Sequence, residues 1–112
     1  MAVDKELERE VNLLHANICH GLSDPKRILL LYALHQRPMH VNELAEALEA
    51  PQPTVSRHLK VLRERRLVEA VREGPSVRYS LADERVIEAL DLLRAVLLGT
   101  LSRQGHLADT LK

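Results

Sequence analysis

Seven basic side chains, Arg57, Lys60, Arg63, Arg65, Arg66, Arg72 and Arg78, crowd between Gln52 and Arg78 against three acidic ones, Glu64, Glu69 and Glu73. That stretch carries a net +4, and because the chain has 16 Lys and Arg against 16 Asp and Glu, the remainder carries −4. Cations gathered at one pole of a neutral chain suit a polyanion, which binds by releasing its counterions. If Val55, Leu59 and Leu62 mark the inward stripe of a helix, roughly 100° per residue turns Pro53, Arg57, Lys60 and Glu64 outward, with Thr54, Ser56 and Val61 on the flanks. Such a face can enter a groove; the plain alternative is a solvated surface.

Other chemistry is sparse. His15 and Cys19, four residues apart on one helical face, could grip an ion, with His20 beside them and His106 arriving from a partner's terminal helix. The plain alternative makes Cys19 a small buried hydrophobe and the histidines surface residues. As a thiol sensor, the single cysteine would have to form an intermolecular disulfide. No Ser-His-Asp order, glycine-rich phosphate loop, carboxylate pair in distinct environments or dinucleotide fingerprint is found, so no catalytic residue is assigned and an enzyme is not expected.

The elements that must position these residues can be read from composition and periodicity. A chain of 112 residues with 46% hydrophobic and 29% charged residues is expected to form one folding unit over residues 1–112. With no Trp, no Phe and two Tyr, the core must be aliphatic, which favours helices. The acidic N-terminus lacks a secretory signal's apolar run, so a cytoplasmic protein is expected. The longest apolar stretch, Val86 to Leu101, is broken by Asp91 and Arg94 and cannot span a bilayer unaided, so no membrane partner is expected.

Leu7, Val11, Leu14, Ile18 and Leu22 form one stripe and predict a first helix over about 4–22. Ser23-Asp24-Pro25 caps a second, running to about His35, whose Ile28, Leu29, Leu31, Tyr32 and Leu34 require burial on more than one side. Arg37-Pro38 stops it, and Asn42 can cap a short third helix with Leu44, Ala45 and Leu48 inward. The turn Ala50-Pro51-Gln52-Pro53 leads into a fourth helix from Thr54 to about Arg66. LVEAVRE and SVRYSLA around Gly74-Pro75 predict a β-hairpin, and Asp83 caps a last helix running to about Gln104. The fold class is therefore mainly α with a small β-hairpin, a winged helix-turn-helix with an extra helix at each end. In the last helix Val86, Ile87, Leu90, Leu93, Val96, Leu97 and Leu101 would cover the home domain, while Ala89, Leu92, Ala95 and Leu98 fill the rest of the circumference. A helix apolar all round needs a second surface, so a homodimer through helices at about 4–22 and 83–104 is expected.

Leu22-Ser23-Asp24-Pro25-x-Arg27 and Gln52-Pro53-Thr54-Val55-Ser56-Arg57-His58-Leu59-Lys60-x-Leu62, in this order and followed by SVRYSL, resemble the ArsR family of bacterial winged-helix repressors over about Gly21 to Leu81. The resemblance implies a homodimeric repressor on double-stranded DNA that leaves an inverted-repeat operator when an inducer arrives. It also implies that Gln52, Thr54, Ser56 and Arg57 read bases or hold phosphates, with His58 and Lys60 beside them, and that Arg72 and Arg78 touch backbone. Relatives commonly carry Ser where this chain has Pro51, which leaves helix capping to Gln52 or to a shifted start. The family's Cys-x-Cys metal pair is replaced by His40 and Asn42, and its Asp, His, His, Glu site finds only Asp91, His106 and Asp109 without the needed spacing. No metal residue is assigned and the inducer and any cofactor stay unknown. The competing reading is a winged-helix protein-interaction module that binds no specific DNA sequence, against which the Gln52 to Lys60 motif argues.

Overall fold

The computed structural model describes residues 2–104; His106 and Asp109 lie outside the described residues. Helix α1 (Lys5–Leu14) starts where Asp4 Oδ1 accepts the Glu6 N–H at 3.1 Å, and its apolar stripe stays uncovered, with Leu7, Val11 and Leu14 about half exposed. The helix widens into a π-helical stretch, His15–Cys19, and only Ile18 and Leu22 reach the core. Periodicity alone reads this segment as one regular helix.

Helix α2 (Pro25–Gln36) is capped by the Asp24 carboxylate, which accepts the Lys26 N–H at 2.8 Å, with Pro25 at a first-turn position where its missing N–H costs nothing. It is the central helix, packed against α3, α4, α5 and the sheet. Leu30, Leu31 and Leu34 are buried, whereas Leu29, expected inside, is 55% exposed because it faces away from those neighbours. Arg37 is fully extended and feeds β1 (Met39–His40), a two-residue strand too short to show a period. Helix α3 (Val41–Leu48) starts one residue before the expected Asn42 cap: Glu43 turns back to accept the His40 N–H at 3.0 Å, the reciprocal half of a capping box.

A turn with Glu49 in the left-handed region leads to α4 (Gln52–Glu64), which begins two residues before the expected Thr54 and has no side-chain cap. Pro53 is tolerated because its N–H would be free in the first turn. Val55, Leu59 and Leu62 are completely buried, as their spacing predicts. Strands β2 (Val68–Glu73) and β3 (Ser76–Leu81) form the hairpin, with Gly74 at φ +59° in the turn. The sheet has three strands in the order β1-β3-β2, all antiparallel, so the expected hairpin gains an edge strand from before α3.

Helix α5 (Arg85–Gln104) is capped by Asp83, whose Oδ1 accepts the Arg85 N–H at 2.9 Å. Tyr32 donates to Asp91 Oδ1 at 2.6 Å, His35 lies 2.9 Å from Glu84, and the Arg94 guanidinium sits 5.3 Å over the Tyr32 ring, fastening α5 to α2. Only its first turns pack on the home domain. Ile87 and Leu90 are buried, but Leu93, Val96 and Leu97 are 62%, 65% and 53% exposed, contrary to the expectation that the home domain covers them. The helix runs past the edge of the core, so its later turns find no covering neighbour among the described residues. None of the described helices is long and apolar enough to cross a membrane.

Candidate nucleic-acid interface

Helix α4 packs one stripe into the core, and the opposite stripe is what it offers outward. Gln52, Pro53, Ser56, Arg57 and Lys60 are exposed and Thr54 is half-buried. Among the described residues neither Arg57 nor Lys60 is in an ion pair. Their donors are unspent, and Arg can present two parallel N–H groups to a base edge or a phosphate. The N-terminal turn of α4 is itself left uncapped, so its first backbone N–H groups face outward as well.

His58 departs from the expected set. It is 8% exposed, because 55, 58, 59 and 62 fall at i, i+3, i+4 and i+7 on one buried face. Its Nδ1 lies 3.2 Å from Nη1 of the buried Arg27. A guanidinium only donates, so Nδ1 accepts and the imidazole proton sits on Nε2. Arg27 spends its other donors on the Gly21 carbonyl (Nε, 2.9 Å), the His20 carbonyl (Nη2, 3.2 Å) and Ser23 Oγ (Nη2, 3.1 Å). One side chain thereby ties the end of the N-terminal helical segment and the turn before α2 to α4. Reading the Ser23 to Arg27 motif along the sequence missed this role; the signal available was an arginine one turn into a densely apolar helix.

Burial pushes the His58 imidazole below its ordinary value of 6.5, outweighing the nearby Asp24 carboxylate, and Arg27 acts in the same direction as burial. The unfolded chain thus binds a proton more readily than the native one. His58 contributes stability that is present above the ordinary histidine value and is lost as the pH falls from there toward the lower native value. We expect the urea midpoint to drop between about pH 7.5 and about pH 5.5 and His58→Gln to remove part of that drop; equal pH dependence in both proteins would contradict the assignment.

The wing presents its two arginines on opposite faces. Arg72 pairs with Val77 and Arg78 with Val71, and neighbouring register positions alternate between faces. Arg72 shares the face of Val77 and Tyr79, which with Gln52 and Ser56 help line a cleft of about 390 Å³ between the wing and the start of α4. Arg72 is exposed and has no ion pair among the described residues, whereas Arg78 Nη2 lies 3.3 Å from Glu73. Gln52, Ser56, Arg57, Lys60 and Arg72 are therefore exposed and outside any ion pair among the described residues, and Gln52 and Ser56 stand at the cleft beside the wing.

His15, Cys19 and His20 border a surface depression of about 230 Å³ at the π-helical stretch, and Cys19 is exposed rather than buried. Among the described residues no three His, Cys, Asp or Glu side chains stand close enough together to hold an ion.

Residues 24–70 match the family model described as bacterial regulatory protein, arsR family. The HTH-type transcriptional regulator KmtR of Mycobacterium tuberculosis is 46% identical over 65 residues, 58% of this chain and 50% of that protein. The HTH-type transcriptional regulator CmtR of Mycobacterium bovis is 37% identical over 94 residues, 84% of this chain and 80% of that protein. The match spans half to under two thirds of the length of several such relatives. Among solved structures, the homodimeric winged helix-turn-helix DNA-binding domain Mb0332 of Mycobacterium bovis superposes with a TM-score of 0.75 at 28% identity, covering 92% of this chain and 95% of that one.

Proposed function

We propose, from the premise that this chain belongs to the arsR family of bacterial regulatory proteins, that it is a dimeric, sequence-specific DNA-binding transcriptional regulator acting in the cytoplasm, a repressor that an inducer releases from an inverted-repeat operator. The observation that carries the reading is the outward stripe of α4, polar and cationic along Gln52, Ser56, Arg57 and Lys60 and free of internal partners among the described residues. Such a helix lies in the major groove while the wing reaches the adjoining backbone. Gln52 and Arg57 are the bidentate readers, Thr54, Ser56 and Lys60 hold phosphates, and Arg72 and Arg78 meet the backbone from the two faces of the wing. His58 acts behind this face, through Arg27, rather than on it.

The second element of the reading is the dimer. Leu92, Leu93, Val96, Leu97 and Leu98 on α5 are each more than half exposed, and Leu7, Val11, Leu13 and Leu14 on α1 are about half exposed or more. Exposed apolar residues in such number on two helices mark an association face. A twofold axis there sets two α4 helices about one duplex turn apart, ~34 Å, which is why the operator is an inverted repeat.

The test uses the best inverted repeat selected from a random duplex pool and a scrambled duplex of the same length. Arg57→Ala is expected to weaken binding to the selected site by about 1–3 kcal/mol and to relax preference at one base pair. Arg72→Ala is expected to weaken both duplexes alike and to lower the slope of affinity against salt by about 1. Equal affinity of the wild-type protein for the two duplexes would refute sequence-specific regulation.

A further inference from the structure

We propose that His40 is a positioning residue that fixes the wing against the helix-turn-helix and keeps the guanidinium of Arg78 available to the DNA backbone by sharing Glu73 with it; this rests on the DNA-binding reading above. His40 ends β1 and immediately precedes α3, so its backbone belongs to the sheet and to the helix-turn-helix at once. Register sets it opposite Arg78, which is opposite Val71 on the far side, and Glu73 lies two residues beyond Val71. All of these side chains therefore occupy one face of the sheet.

The side chains on that face are joined end to end. His40 Nε2 lies 3.0 Å from Glu73 Oε1, and Glu73 Oε2 lies 3.3 Å from Arg78. On the other side, His40 Nδ1 is 3.1 Å from Glu43 Oε1, and Glu43 Oε2 accepts from Arg37 at 2.9 Å. The His40 N–H, Arg37 and the His40 ring hold the Glu43 carboxyl down to about 2, so it is a fixed anion on the α3 side. Arg37, Glu43, His40, Glu73 and Arg78 thus form one chain of side-chain contacts from the loop before β1 to the wing, and His40 is the link that crosses from the α3 side to the hairpin.

Sharing decides what Arg78 can do. With His40 in place, Glu73 spends one oxygen on His40 and one on Arg78, and the other guanidinium N–H groups stay open to phosphate. Without His40, both Glu73 oxygens can close a two-bond fork on Arg78, the arrangement arginine favours with a carboxylate, and the hairpin loses its tie to α3. His40, Glu73 and Arg78 are 32% to 47% exposed, so substituting them leaves the core untouched.

Two measurements on the full chain test this. In the free protein, His40→Ala is expected to speed amide hydrogen exchange in β2 and β3 at unchanged melting temperature, and His40→Gln, which can still donate to Glu73, is expected to restore most of the protection. In DNA binding, His40→Ala is expected to weaken selected and scrambled duplexes equally, several-fold, and to lower the salt slope by about 1. Arg78→Ala is expected to do the same, and the double variant to be no worse than either single one, since both remove one phosphate contact. Unchanged wing exchange in His40→Ala, or losses that multiply in the double variant, would overturn the proposal while leaving DNA binding intact. A wild-type protein that binds no duplex, yet shows the exchange effect, would overturn the regulatory reading and the Arg78 role with it but not the fixing of the wing.

Discussion

Arg27→Met is expected to lower the folding free energy by about 3 kcal/mol and to take operator binding with it. Arg27 is 9% exposed and donates to the carbonyls of His20 and Gly21, to Ser23 Oγ and to His58 Nδ1. Methionine replaces most of its volume and stem contacts, so the loss reports on the donors rather than on a cavity. Of these acceptors the Gly21 carbonyl and His58 Nδ1 belong to buried residues, and a buried acceptor left without a partner costs about 1–3 kcal/mol, less than additively when two share one site. Arg27→Lys is expected to recover little, because one ammonium cannot reach acceptors on three segments as a planar fork does. Binding is lost for a separate reason: His58 sits on the recognition helix next to Arg57, and without Arg27 nothing else among the described residues bonds its ring to the N-terminal half. Urea unfolding followed by circular dichroism gives the stability, and fluorescence anisotropy at a temperature where the variant is folded gives the affinity. A loss below about 1 kcal/mol with unaltered affinity would show that the buried guanidinium is incidental.

The other large effect belongs to α5. Leu93→Glu together with Leu97→Glu is expected to convert a dimer into a monomer and to reduce operator affinity by about 100-fold or more, because each half-site then binds alone and the effective concentration of the second is lost. These two side chains are 62% and 53% exposed in the single chain, one helical turn apart, so the substitutions ask little of the home core. Circular dichroism is expected to show retained helix, with sedimentation at micromolar concentration reporting the change in mass. Persistence of the dimer would move the association face elsewhere, and a monomeric wild-type protein would remove the inverted-repeat geometry altogether.

The residues behind these expectations differ in how openly the chain displays them. Val55, Leu59 and Leu62 announce the inward side of α4 by spacing alone, and Arg57 and Lys60 follow as its outward side. Asp24-Pro25 and Asp83 announce helix starts, and Gly74-Pro75 announces the wing's turn. His58 was readable in part, since it completes the 55-58-59-62 stripe, but the family resemblance set it beside the contact residues. The coverage of α5 was not readable: every apolar side chain on it fits burial, and only the edge of the core shows that Leu93, Val96 and Leu97 pass beyond it.

What the chain determined unaided is whatever arises within a turn or two of helix or between adjacent strands: element types, their caps, the hairpin, the poles of charge and the aliphatic core. Such features depend on interactions over a few residues, and those repeat with a period that can be counted. Tertiary structure alone decided that Arg27 meets His58 across 31 positions and that His40 meets Glu73 across 33. It also decided that Met39-His40 becomes a strand and that Arg72 and Arg78 face opposite ways relative to the recognition helix. Contacts at that separation leave no period, because their partners are chosen by where whole elements come to rest on the core, and a single polar side chain contributes too little on its own to declare its partner in advance.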